Sequence, residues 1–129
     1  MNNKITKPTE AELQILQILW QNGPSTVRFV NEKLNEEKKT GYTTSLKTMQ
    51  IMFEKKLVKR NEENKTHIYA AVVREEDVQK HLLDKFLDSA FKGSAMKLVM
   101  QALGNRKTSK KELDEIRALL DKIEKGGNK

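Results

Sequence analysis

The order of three short amphipathic segments and a β-rich pair in residues 1–72 constrains the fold more than any other feature of this sequence. Thr9 and Glu12 form a capping box with Pro8 just outside it, and Leu13, Leu16, Leu19 and Trp20 recur behind it at helical spacing. The helix this predicts runs to about Gln21. Asn22-Gly23-Pro24 stops it, because glycine tolerates the left-handed conformation that ends a helix and proline cannot continue the ladder. Ser25 then caps a second helix striped by Val27, Val30 and Leu34, which dissolves into the polar loop Asn35-Glu36-Glu37-Lys38-Lys39-Thr40-Gly41. From Thr43 a third helix carries Leu46, Met49 and Phe53, with Leu57 closing the inward series. At about 100° per residue, the opposite face holds Thr44, Lys47, Thr48, Ile51 and Lys55. Leu57-Val58-Lys59-Arg60-Asn61 and Thr66-His67-Ile68-Tyr69-Ala70-Ala71-Val72 then read as strands joined by Glu62-Glu63-Asn64-Lys65. An isolated hairpin is marginal in water, so it is expected to dock on the helices through Leu57, Ile68 and their neighbours.

Past Val72 the pattern is helical only. Val78, Leu82, Leu83, Phe86, Leu87, Ala90 and Phe91 stripe a helix ending near Gly93, and a shorter apolar helix runs from Ala95 to Leu103 before Gly104-Asn105. Ser109 and Glu112 form a second capping box, followed by Leu113, Ile116, Leu119, Leu120 and Ile123, and the helix frays at Gly126-Gly127. These arms show more apolar stripe than they can bury on themselves, so a second copy is their natural cover. The expected dimer contacts are Leu82, Phe86, Leu87, Phe91, Leu98, Leu113, Ile116 and Leu120. The expected fold class is mainly α (α+β): a winged helix-turn-helix domain over residues 1–72, then a helical dimerisation domain over 73–129.

Composition narrows the partners. A chain of 129 residues with a net charge of +7 has room for one compact domain and an appendage, and its basic surplus favours polyanions. Between Lys38 and Val72 eight bases (Lys38, Lys39, Lys47, Lys55, Lys56, Lys59, Arg60, Lys65) face three acids (Glu54, Glu62, Glu63). This is either a polyanion footprint or a solvated surface. The absence of cysteine excludes disulfides and thiolate chemistry and suits a reducing cytoplasm, the expected location. No apolar run approaches the roughly 20 residues of a membrane span, and the opening Met1-Asn2-Asn3-Lys4-Ile5-Thr6-Lys7 has no apolar leader segment, so membrane insertion and secretion are not expected.

Tyr42-Thr43-Thr44-Ser45 place small hydroxyls at a helix N-terminus, where free amides and the positive dipole end favour phosphate. Lys47 suits phosphate or guanine, Thr48 a base edge or thymine methyl, and Ile51 a methyl, a mixture fitted to a major groove. The plainer alternative makes Thr43 an N-cap and the lysines solubilising groups. Ser25 and Arg28 at the start of the second helix are candidates for backbone phosphate, with capping the alternative for Ser25. Arg60 and Lys65 on the wing would meet phosphate or a minor groove, or else protect an edge strand. Catalysis is not expected: His67 and His81 stand apart, with no HxxxH, no cysteine and no glycine-rich phosphate loop, so neither metal nor cofactor is expected. Glu75-Glu76-Asp77 complement the dipole of a helix start.

The sequence resembles the penicillinase and methicillin-resistance repressors (BlaI/MecI) and their copper-transport relatives over nearly its whole length. The likeness is carried by Thr9-Glu10-Ala11-Glu12-Leu13 through Leu19-Trp20, Gly23-Pro24-Ser25-Thr26-Val27, and Tyr42-Thr43-Thr44 through Glu54-Lys55-Lys56-Leu57-Val58-Lys59-Arg60. Ile68-Tyr69, Val73-Arg74-Glu75-Glu76 and Phe91-Lys92-Gly93-Ser94 through Leu98-Val99 continue it. The resemblance implies a homodimeric winged-helix repressor with an intertwined helical dimer domain, binding dyad-symmetric operators with TACA/TGTA-type half-sites. In the β-lactam-responsive relatives it also implies a membrane sensor metallopeptidase pathway that cuts the repressor between Asn and Phe. The matching positions here are Gln101 and Ala102, which keep a longer carboxamide and lose the aromatic ring, so the expectation is either a cut there by a partner peptidase of altered specificity or release by another signal. Many members carry a basic residue where this chain has Ile51, and the copper-responsive ones a cysteine cluster where it has Gly126-Gly127-Asn128-Lys129, so copper sensing by that route is not expected. The competing reading is a winged-helix module whose basic face meets an acidic protein or RNA. Ligand sensing has little support, since no polar group interrupts the apolar stripes.

Overall fold

The computed structural model describes residues 7–127. The expected lack of an apolar leader in residues 1–6 and the final Asn128-Lys129 lie outside the described residues. The elements are α1 (Glu10–Asn22), α2 (Val27–Asn35), α3 (Tyr42–Glu54), β1 (Val58–Glu63), β2 (Thr66–Ala71), α4 (Glu75–Phe91), α5 (Ala95–Gly104) and α6 (Lys110–Lys122). The chain divides into two units inside α4, the first ending at Asp84 and the second starting at Lys85.

Local chemistry sets the first unit's helix ends. The Thr9 hydroxyl accepts from the Glu12 amide at 3.1 Å, and the Glu12 carboxylate accepts from the Thr9 amide at 3.0 Å, so the capping box forms as expected. Gly23 closes α1 at φ 80°, its amide reaching the Leu19 carbonyl at 2.7 Å. The cap of α2 is Thr26, not Ser25: the Thr26 hydroxyl accepts from the Phe29 amide at 3.1 Å. Ser25 instead pairs with the wing, its amide donating to the Tyr69 carbonyl and its carbonyl accepting from the Tyr69 amide, both at 2.8 Å. With its backbone engaged as a short strand, its buried hydroxyl turns to the Gly23 carbonyl at 2.8 Å.

The core joins Ile15, Leu16 and Leu19 of α1, Val27 and Val30 of α2, Met49 and Met52 of α3, and Leu57, Val58 and Tyr69 of the hairpin. Two expectations shift. The inward face of α3 is centred on Ser45, Met49 and Met52, with Leu46 and Phe53 half-buried on its flank. Relative to the expected stripe, the inward direction turns by roughly 70° at about 100° per residue. Ser45 can occupy the interface with α2 because Asn31 donates to its hydroxyl at 2.9 Å while also reaching the Thr40 carbonyl at 2.9 Å. The wing docks through Leu57, as expected, and through the fully buried Tyr69 beside Ile68, whereas Ile68 itself is only half-buried.

α3 turns into β1 through Lys56, a non-glycine residue at φ 67°. The Lys56 amide meets the Phe53 carbonyl and the Leu57 amide meets the Met52 carbonyl, the paired bonds of a Schellman ending. The antiparallel hairpin runs in register from Val58↔Ala71 to Glu63↔Thr66, leaving Asn64 and Lys65 as a two-residue turn at φ 54° and 63°. Positive φ at both central residues matches the twist of the flanking strands. Trp20 Nε1 donates to the Val73 carbonyl at 3.0 Å, and Val78, fully buried, attaches the start of α4 to this unit.

In the second unit Ser94 and Ser109 cap α5 and α6, accepting from Lys97 and Glu112 amides. Phe86 and Phe91 meet edge to face at 5.6 Å. Among the described residues from Lys85 on, none is buried. Leu87, Phe91, Leu98, Leu113 and Ile116 are half-buried, and Phe86 and Leu120 exposed. Leu82, in the first unit, is half-buried. After α6 the helical backbone breaks within Ile123–Gly127, where Gly126 takes the left-handed conformation at φ 87°. No helix of the described residues is long and apolar enough to cross a membrane.

Candidate nucleic-acid interface

The N-terminus of α3 is capped by Gly41, which has no side chain to satisfy the first-turn amides, so these stay available to an external acceptor. Around that turn and the two that follow, Tyr42, Thr43, Thr44, Lys47, Gln50, Ile51 and Glu54 are exposed. Apart from Tyr42, which turns about 140° away toward the side of α2 and the wing, this face is centred on Lys47 and lies opposite Ser45, Met49 and Met52. Thr43, Thr44, Lys47 and Ile51 of the expected set therefore share it. Thr48 lies at its edge, half-buried, and its hydroxyl donates to the Thr44 carbonyl at 2.9 Å.

Lys55, expected to point outward, is turned inward. Its ammonium donates to both carboxylate oxygens of Glu12, at 2.9 and 3.0 Å, and the Glu12 side chain is only 5% exposed. The rotated phase of α3 brings Lys55 to the flank facing α1, where the second Glu12 oxygen lacks a cap partner. The pair fastens the end of α3 to the start of α1. Arg60 is likewise engaged at the root of the wing, its guanidinium 4.1 Å from the Phe53 ring centre and 3.5 Å from the Tyr69 hydroxyl, to which it donates. Ser25 is buried against β2, which withdraws its hydroxyl from any outside phosphate.

Other cations converge from separate elements. Arg28 in the first turn of α2, Tyr42 and Leu46 of α3, and Lys65 and His67 of the wing line one open cleft of about 480 Å³. On the opposite flank, Gln14, Lys38 and Lys39 line a recess of about 310 Å³ with Thr44 and Thr48. The exposed face of α3 thus lies between two basic margins, a distribution that raises local anion concentration. Gln50 and His67 were not among the expected contacts. Counting Met52 as an inward residue one turn after Met49 would have exposed Gln50; His67 needed the turn geometry that folds the wing toward α2. Gln101 and Ala102 are both exposed on α5.

A family model described as "Penicillinase repressor" matches residues 8–122. The methicillin resistance regulatory protein MecI of Staphylococcus aureus (strain N315) is 24% identical over 122 residues, covering 95% of this chain and 99% of the relative. The transcriptional regulator BlaI of Mycobacterium tuberculosis (strain CDC 1551 / Oshkosh) is 29% identical over 129 residues, covering 98% of this chain and 92% of its own length. The solution structure of the DNA binding domain of the repressor BlaI superposes with a TM-score of 0.52 at 18% identity, over 59% of this chain and 93% of that one. The likeness is one of fold, a winged helix. With the match running from the cap of α1 to the last residue of α6, the chain belongs to the penicillinase repressor family.

Proposed function

We propose that this protein is a transcriptional repressor that binds a dyad-symmetric DNA operator as a homodimer, acts in the cytoplasm and carries no catalytic step. The observation that carries the proposal is the exposed face of α3 centred on Lys47, with uncapped first-turn amides and with Arg28 and Lys65 converging beside it from α2 and the wing. An exposed helix with an open amide end and cations on both flanks fits the major groove, while α2 and the wing meet the adjoining backbone. Residues 1–72 supply the DNA contacts: Arg28, Thr43, Thr44, Lys47, Ile51 and Lys65, with Thr48 at the margin. Residues 73–129 supply self-association, for which the unburied stripes of α4, α5 and α6 are suited.

Repression is relieved in this proposal by a partner membrane peptidase that cuts between Gln101 and Ala102. The bond lies on exposed residues of α5, and severing it detaches α6 with its Leu113, Ile116 and Leu120 stripe. Intact mass before and after induction in the protein's own cells tests this: fragments ending at Gln101 support it, and operator release with the chain whole overturns it.

The test of DNA binding is a titration against a duplex from the protein's own promoter region, with random duplex as control, at several salt concentrations. The expected result is a clear preference for the promoter segment, with log K falling by about 0.9 per phosphate contact against log salt. Equal weak binding to both duplexes would favour the RNA- or protein-binding alternative, and a slope near zero would remove nucleic acid altogether.

A further inference from the structure

We propose that Gln50 is a specificity-determining residue whose carboxamide reads an adenine in each operator half-site; this rests on α3 lying in the major groove. Gln50 stands on the exposed side of α3, three residues after Lys47. Three residues rise about 4.5 Å along a helix. This is close to the roughly 3.4 Å between successive bases of a strand, so the two side chains address neighbouring base pairs.

Gln50 also continues the row Tyr42 and Leu46 at four-residue spacing, and those two line the cleft that holds Arg28 and Lys65. Its row therefore extends from the basic cleft onto the exposed face. Glu54, one turn further and also exposed, places a negative charge where phosphate would be repelled, which marks the end of the helix that leaves the groove. Gln50 lies between the cationic and anionic ends of this face.

Its availability distinguishes it from its neighbours. The Thr48 hydroxyl is engaged by the Thr44 carbonyl and the Lys55 ammonium by Glu12, whereas no hydrogen bond among the described residues engages the Gln50 carboxamide. A carboxamide presents one acceptor and two donors in a plane. Adenine offers the N7 acceptor and the N6 donor in the major groove, and the two match as a bidentate pair. A lysine or hydroxyl at this position would form no such two-point match with adenine.

The experiment is selection of bound sequences from a randomised duplex pool by the full chain, by Q50A and by Q50K, with thermal melting of each. The wild type is expected to select a dyad with an adenine that Q50A no longer prefers. Discrimination at that position should fall about tenfold to a hundredfold, other positions and the melting temperature staying unchanged. Q50K should move the same position toward guanine, because a lysine donates to guanine O6 and N7. If Q50A and Q50K select the wild-type motif, or lower binding to all duplexes in proportion, Gln50 does not read a base and the proposal is overturned. A wild type that selects no motif would instead overturn the operator reading on which it rests.

Discussion

The two units of this chain treat their apolar side chains in opposite ways. In the first, Leu16, Val30, Met49, Met52 and Tyr69 are removed completely from solvent, and the last piece of that core, Val78, comes from the beginning of α4. From Lys85 onward no described residue is buried, and Phe86, Met96, Met100, Leu119 and Leu120 each keep more than half of their surface exposed. Both units contain amphipathic helices with side-chain caps, α1 and α2 in the first and α5 and α6 in the second, so the difference is not one of local helix chemistry. Three helices and a hairpin surround a common centre; three arms of α4, α5 and α6 supply stripes without enough chain to cover them. Polar contacts differ in the same sense. Glu12 and Lys55 join positions 43 residues apart at 2.9 Å, whereas Lys110 and Arg117 pair with Asp114 within one helix.

Removing the second unit tests that contrast most strongly. A fragment ending at Asp84 retains Val78 and the Trp20–Val73 bond, so it should stay folded, sediment as a monomer and bind operator about 10²- to 10⁴-fold more weakly, since separate half-sites lose their effective concentration. A fragment that sediments as a dimer at micromolar concentration would break the division of roles.

Next in size, Leu16→Ala should cost about 2–5 kcal/mol in chemical denaturation, because it opens a cavity in a closed core. Leu120→Ala should change the monomer's stability by less than about 0.5 kcal/mol, while weakening self-association in a dilution series. Equal losses of monomer stability would show that the arms bury more than their surfaces suggest.

Lys55→Met should lower stability by about 1–3 kcal/mol by leaving the Glu12 carboxylate buried without its cation. Lys47→Met should leave the denaturation midpoint alone, weaken duplex binding and reduce the salt slope by about one. Reversed results would place Lys55 on the DNA and Lys47 in the fold. The smallest effect belongs to Asp114→Ala, which removes only exposed ion pairs and should shift stability by less than about 0.5 kcal/mol.

Much of the candidate site was legible where a few neighbouring residues decide the geometry. Lys47, Thr43, Thr44 and Ile51 fall on the exposed face because any apolar centre near Met49 leaves them opposite it. Ser25, Lys55, Arg60 and Gln50 were not placed by the same arithmetic. Each depends on what another element presents: β2 pairs with the backbone of Ser25, Glu12 draws in Lys55, and Phe53 and Tyr69 hold Arg60. Gln50 reaches the exposed face because Asn31 makes a buried Ser45 acceptable, which turns α3 about its axis.

The sequence by itself determined the helix starts at Thr9 and Ser109, the stop at Gly23 and the existence of the hairpin, because caps, turns and periodic stripes act over three or four residues. It also determined the basic balance and the surplus of apolar surface in the arms. Tertiary structure alone decided the rotational phase of α3, the full burial of Tyr69 beside a half-buried Ile68, and which cations remain outside. The physical reason is that an α-helix can turn about its axis at little cost to its own hydrogen bonds. Its phase is set by the packing and polar satisfaction its neighbours offer, and those neighbours are distant in sequence.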